Sequence, residues 1–198
     1  MTINPLLLDL PMPIVTPRLQ LVPWHPDHTD KFNAARNDSL DHLQPWMKWA
    51  TAPATLDETR ESLTHGYAKF ILRQSLNMIG LTHDGEFVLS TGLHNIDWDI
   101  PSAEIGYWCC RRFLGQGYVT EAANALLHYG FSVMGMRRMA ISMDSENHAS
   151  RAIAERLNLI LESTSRGTIR TLHQGDLRAR LTYVCFDSTS TPSLDVRW

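Results

Sequence analysis

One stretch limits the folds open to this chain more than any other: AEIGYWCCRRFLGQGYVTEAANALLHYGF, residues 103–131, passes from a strand-like alternation into an apolar-periodic helix through Arg112, Gly115 and Gly117. Glycines admit backbone conformations and close approaches that side chains forbid, and a helix N-terminus presents unpaired N–H groups with a partial positive charge. Such a turn serves either as a tight connection or as a cradle for an anion such as a pyrophosphate. Two familiar nucleotide loops are excluded. The dinucleotide fingerprint needs a third glycine where Thr120 stands, and the Gly-Lys-Ser/Thr ending of the phosphate loop is missing.

The surrounding pattern is mixed. TPRLQLVPW alternates Leu19 and Leu21 with polar neighbours, as a half-buried strand does. Helices are predicted over 26–37 and 56–73, the latter with Asp57, Glu58 and Glu61 in its first turns. Strands over 76–82, 86–95 and 103–110 read as an antiparallel meander. A helix over 118–131, a strand over 138–143, a helix over 149–157 and strands over 160–168 and 178–186 complete the order. This predicts an α+β fold with a mixed, mostly antiparallel central sheet flanked by helices.

With 198 residues and 43% hydrophobic content, one domain is expected, over 16–187, between an N-terminal extension at 1–15 and a polar tail at 188–198. The tail is expected outside the core, with Trp198 able to dock. A net charge of -3 and a pI near 6.3 give no general cationic field, so neither nucleic acid nor a membrane is an expected partner. The short apolar start is broken by Pro5, Pro11 and Pro13 and lacks preceding basic residues, unlike a secretory signal or a membrane span. Cys109, Cys110 and Cys185 form no even disulfide set, which fits a reducing cytoplasm. The nine histidines show no zinc-ligand spacing, so no metal is expected.

The run Arg112-Phe113-Leu114-Gly115-Gln116-Gly117 resembles the Arg/Gln-x-x-Gly-x-Gly/Ala pattern of the GNAT superfamily of N-acetyltransferases. AEIGYW, TPRLQL and NHASRAIAERLNLILE are similar to segments of its RimJ/RimL-like branch, and the likeness covers about residues 16–186. The resemblance implies acetyl-CoA in a cleft between two splayed parallel strands. Tyr107, Trp108 and Cys109 would line the pantetheine, with an oxyanion donor among the backbone N–H groups near Trp108 or Cys109. The pyrophosphate would sit on Arg112, Leu114, Gly115, Gln116, Gly117 and Tyr118, with Arg111 or Arg112 adding charge. Asn147 would reach the pantetheine arm, and Ser150 would donate a proton to the departing thiolate. Both also suit simple helix capping. The implied reaction is direct acetyl transfer, in a ternary complex, to a primary amine: a peptide N-terminal α-amine or a small amine. The alternative is a non-catalytic acyl-CoA-binding sensor or interaction domain. Exposed strand edges allow a homodimer.

Amine acetylation needs a proton acceptor. A hairpin centred on Asp99 sets His94 opposite Glu104, either as the general base, directly or through water, or as a cross-strand bond supporting the hairpin. Some RimL-like enzymes carry a glutamate after the strand that follows the Asn-x-x-Ser helix. Ile169 takes that place here, leaving His173 or Asp176 as weaker substitutes. LQPWMKWA resembles the branch's Leu-x-x-Trp-x-x-Trp connector, so Trp46 and Trp49 would wall the acceptor pocket or pin the connector to the core. Trp98, Phe70 and Tyr67 are further candidate liners.

Overall fold

The computed structural model describes residues 4–170 and 176–198; His173 lies outside the described residues. Strands β1 (Ile14–Val15) and β2 (Leu19–Pro23) lead into α1 (Thr29–Asp38), the short α2 (Leu40–Leu43) and α3 (Leu56–Ile71). The meander β3 (Leu76–Thr82), β4 (Phe87–Asp97) and β5 (Ser102–Cys109) precedes α4 (Tyr118–Ser132). β6 (Arg138–Asp144), α5 (His148–Arg156), β7 (Ile160–Arg170) and β8 (Leu177–Cys185) follow. The strands form one sheet in the order β1-β2-β3-β4-β5-β6-β8-β7. Its only parallel pair among the described residues is β5 with β6.

Local chemistry sets several boundaries. Thr55 and Glu58 form a capping box, each side chain accepting from the other's backbone N–H, so α3 starts at Leu56. The predicted helix over 26–37 divides: Pro26–His28 makes a single 3₁₀ turn, and regular helix starts at Thr29. β1 lies within the stretch read as an extension. It pairs Ile14 with Leu21, and its fully buried Ile14 offsets its short length.

Apolar residues of the two sheet faces build two cores. On one face Leu21, Met78, Leu89, Ile105 and Ile141 pack with Ala122, Ala125, Leu126 and Tyr129 of α4. On the other, Phe32, Leu43 and Leu63 from α1, α2 and α3 cover Ile79, Phe87 and Trp108. Each aliphatic or Phe side chain fully removed from water in these layers contributes about 1.5–3 kcal/mol. The tail, expected outside the core, returns to it. Leu194 and Val196 pack against the α4 layer, Val15 bridges to Arg197, and Trp198 meets Tyr129 edge-on at 5.6 Å.

Candidate active site

β5 and β6 pair only from Ser102↔Arg138 to Glu104↔Ala140, yet β5 runs on to Cys109 and β6 to Asp144. Beyond Glu104 the strands part, while each stays laddered to its other neighbour, β4 or β8. Cys110 N–H donates to Val88 O, so alternation along β5 directs the backbone of Gly106 and Trp108 toward β4 and that of Tyr107 and Cys109 into the opening. Unpaired strand groups of this kind demand partners. The Cys109 carbonyl has one: His42 Nε2 donates to it at 2.9 Å.

Two polar pairs flank the opening. His94 and Glu104 are directly opposed in the β4–β5 register, as the hairpin spacing predicted, with Nε2 3.7 Å from Oε1. Asn95 Nδ2 donates to the other Glu104 oxygen at 3.1 Å. Gly106 leaves room for the ring, since a Cβ there would lie 3.1 Å from His94 Cε1. The second pair joins β5 to α5: the Tyr107 hydroxyl and Ser150 Oγ are 2.7 Å apart. Burial pushes the Tyr107 phenol up to about 12, so it keeps its proton. Asn147 caps α5 by accepting from Ser150 N at 3.0 Å, and both residues line the cleft, so capping and cleft placement coexist.

The glycine turn lies between β5 and α4. Gly115 and Gly117 adopt φ of 74° and 80°, and a Cβ on Gly115 would meet nothing within 4 Å. Gly117 is the N-cap of α4 and has no side chain to satisfy the first N–H groups of that helix. An open, uncapped turn with left-handed glycines fits a pyrophosphate. Arg112 pairs with Glu86 at 3.4 Å and Arg111 with Asp41 at 2.9 Å, exposed pairs that water weakens. Sequence reasoning missed Arg18, whose Nη1 donates to Gln116 O at 2.9 Å while the guanidinium lies 4.2 Å over Tyr118. TPRLQL contains it, but its alternation signals only a strand.

Two cavities adjoin here. The cleft at the splay encloses about 330 Å³ and includes Trp46, Glu104, Asn147, Ser150 and Ile169 in its lining. A larger one, about 660 Å³, lies under α1 and α3 and contains Trp49 and Trp108. Three sequence expectations need correction. Trp98 donates to the Arg73 carbonyl at 3.0 Å and packs on the α4 core. Phe70 is buried in that same core, and Tyr67 packs edge-on against His25. None of the three lines either cavity: α3 turns Tyr67 and Phe70 to other neighbours, and Trp98 projects from the turn between β4 and β5. The Trp108 side chain faces the larger cavity rather than the splay, as strand alternation requires next to Tyr107. Asp176 is exposed and outside both linings.

A mostly antiparallel sheet opened at its one parallel pair, beside a glycine turn that starts a helix, is the architecture of an acyl-CoA acetyltransferase. The acetyltransferase (GNAT) domain family matches residues 18–160, and the chain belongs to that family of N-acetyltransferases. It is 32% identical over 124 residues to YdaF of Bacillus subtilis (strain 168), a candidate ribosomal N-acetyltransferase, covering 63% of this chain and 68% of that one. To the ribosomal-protein-serine acetyltransferase of Escherichia coli (strain K12) it is 28% identical over 120 residues, 61% of this chain and 66% of that one. The fold superimposes on RimL, a ribosomal L7/L12 alpha-N-protein acetyltransferase in complex with coenzyme A, with TM-score 0.82 at 21% identity, covering 90% of this chain and 98% of that one. RimJ of Mycobacterium smegmatis gives TM-score 0.78 at 23% identity, covering 92% and 90%. Among the described residues no helix is long and apolar enough to cross a membrane, and no group of three or more His, Cys, Asp or Glu could hold a metal ion.

Proposed function

We propose that the protein transfers the acetyl group of acetyl-CoA directly to a primary amine, with the cosubstrate in the splay between β5 and β6. The observation that carries this is the end of β5–β6 pairing at Glu104↔Ala140, beside the facing His94 and Glu104 side chains and the hydrogen-bonded Tyr107–Ser150 pair. Acetyl-CoA, when bound, supplies an acetyl group already activated as a thioester. Tyr107 and Cys109 offer backbone N–H groups into the gap, suited to a carbonyl oxygen or a pantetheine amide. Gly115, Gln116, Gly117 and Tyr118, with the α4 N-terminus, hold the pyrophosphate, and Asn147 borders the pantetheine arm.

Glu104, with His94, takes the proton from the incoming ammonium. The Ser150 hydroxyl, backed by the protonated Tyr107 phenol, gives a proton to the leaving thiolate. Direct attack is supported by the cysteines of the site: burial pushes Cys109 up to about 11 and Cys110 up to about 12, so neither is a ready nucleophile. The apolar Ile169 in the cleft lining leaves the base duty to the hairpin pair. The acceptor is a peptide α-amine or a small amine. Kinship with ribosomal-protein acetyltransferases supports the former, and the aromatic cavity beside the cleft the latter.

The test is amine-dependent release of free thiol from acetyl-CoA, with cosubstrate binding followed by calorimetry in wild type and Gly117→Trp. Thiol release in the wild type and binding lost in the variant support the assignment. A folded wild type that binds no acetyl-CoA overturns it.

A further inference from the structure

The larger cavity meets the splay cleft at Met47, His94, Gly106 and Tyr107, which line both. A molecule seated in it can therefore present an amine to His94 while its body stays behind. The walls suit an apolar body: Trp24, Phe32, Trp49 and Trp108 are all part of the lining. One cation enters this aromatic space. Arg36, on the last turn of α1, holds its guanidinium 5.1 Å over the Trp49 ring and donates through Nη2 to the Trp49 carbonyl at 3.4 Å.

A half-buried guanidinium has five donors in a planar fork, and one long bond leaves most of that capacity unused. Among the described residues Glu58 is the only carboxylate in the cavity lining. Its Oε2 accepts from Thr55 N at 2.8 Å and from Thr55 Oγ1 at 3.0 Å in the capping box, and its charge acts on Arg36 from a distance without forming an ion pair with it. Among the described residues Arg36 makes no salt bridge. Partial withdrawal from water leaves its fork seeking an anionic partner, and a planar carboxylate matches it in shape and charge.

We infer that this cavity selects, as acetyl acceptor, a compact primary amine that carries a carboxylate, with Arg36 binding the carboxylate and the indoles packing its apolar body. The inference rests on the amine acetylation proposed above and narrows its acceptor.

The test uses two ligands that differ only in the anion, benzylamine and 4-(aminomethyl)benzoate. Quenching of tryptophan fluorescence reports binding, because Trp24, Trp49 and Trp108 line the cavity. Wild type should bind the carboxylate-bearing amine about tenfold or more tightly than benzylamine, as a charge-assisted bond allows. Arg36→Gln should remove that difference, and Arg36→Lys should restore part of it. Equal affinities in the wild type, a preference that survives Arg36→Gln, or no saturable quench by either amine would each overturn the inference. The wild-type comparison stands even if a variant folds poorly. Thiol release from acetyl-CoA is followed in the same samples. Its absence with the binding preference intact counts against the acetyl-transfer reading alone, whereas turnover without the preference counts against the carboxylate subsite alone.

Discussion

The Tyr107–Ser150 contact lends itself to a double-mutant cycle. Ser150 is 8% exposed and its hydroxyl sits 2.7 Å from the Tyr107 phenol, so each group satisfies the other. Ser150→Ala leaves the phenol facing a methyl group and should cost about 1–2 kcal/mol of stability. Tyr107→Phe should cost less, about 0.5–1.5 kcal/mol, because the serine hydroxyl can turn back to a carbonyl of its own helix. The double variant removes both partners, so its loss should fall short of the sum by about 1 kcal/mol. Urea unfolding at constant m-value measures this. The same cycle has a kinetic arm. Loss of the Ser150 proton donor should lower kcat by about a hundredfold, and loss of the supporting phenol by about tenfold, the worth of one good hydrogen bond. Acetyl-CoA affinity should hold in both. Additive stability losses would refute the coupling, and an unchanged kcat in Ser150→Ala would refute the proton-donor assignment.

Three other outcomes are expected. Glu104→Gln keeps the hydrogen bond from Asn95 but removes the basic oxygen facing His94, so kcat should drop by about 10²–10⁴ with cosubstrate binding retained, measured by steady-state kinetics beside calorimetry. Burial raises Tyr107 to about 12 and Cys109 to about 11 from ordinary values of 10.0 and 9.0. The folded protein thus holds protons that the unfolded chain has lost; the stabilisation is complete below about pH 9 and fades toward pH 12, by up to about 1.4 kcal/mol per pH unit for each such group. Urea midpoints that stay level across that range would contradict this. Trp98→Phe loses the bond to the Arg73 carbonyl and should cost about 1 kcal/mol in thermal or urea unfolding while leaving the acceptor KM unchanged; a raised KM would return Trp98 to the acceptor site.

Much of the architecture was legible before any coordinates, because short-range rules specify it. Leu19 and Leu21 alternate as a buried strand face must, and the β3 bounds match the predicted 76–82. Turn spacing alone set His94 against Glu104, since antiparallel register follows from where the hairpin turns. Gly115 and Gly117 announced a special turn because only glycine takes positive φ there at no steric cost.

Other features depend on which side chains meet across the fold, and alternation says nothing of that. Arg18 and Gln116 are joined over 98 residues, His42 and the Cys109 carbonyl over 67, and Tyr107 and Ser150 over 43. Trp46, Trp49 and Trp98 look alike as isolated indoles, yet one lines the cleft, one lines the aromatic cavity and one caps a carbonyl at the end of α3. The sequence by itself determined most of the elements, though not β1 or α2, together with the hairpin register and the glycine turn, because each follows from steric and periodic constraints within a few residues. The packing of helices on both sheet faces alone decided where β5 leaves β6, which hydroxyls pair and which guanidinium lies over the Trp49 ring, because those depend on contacts between segments that no local pattern relates.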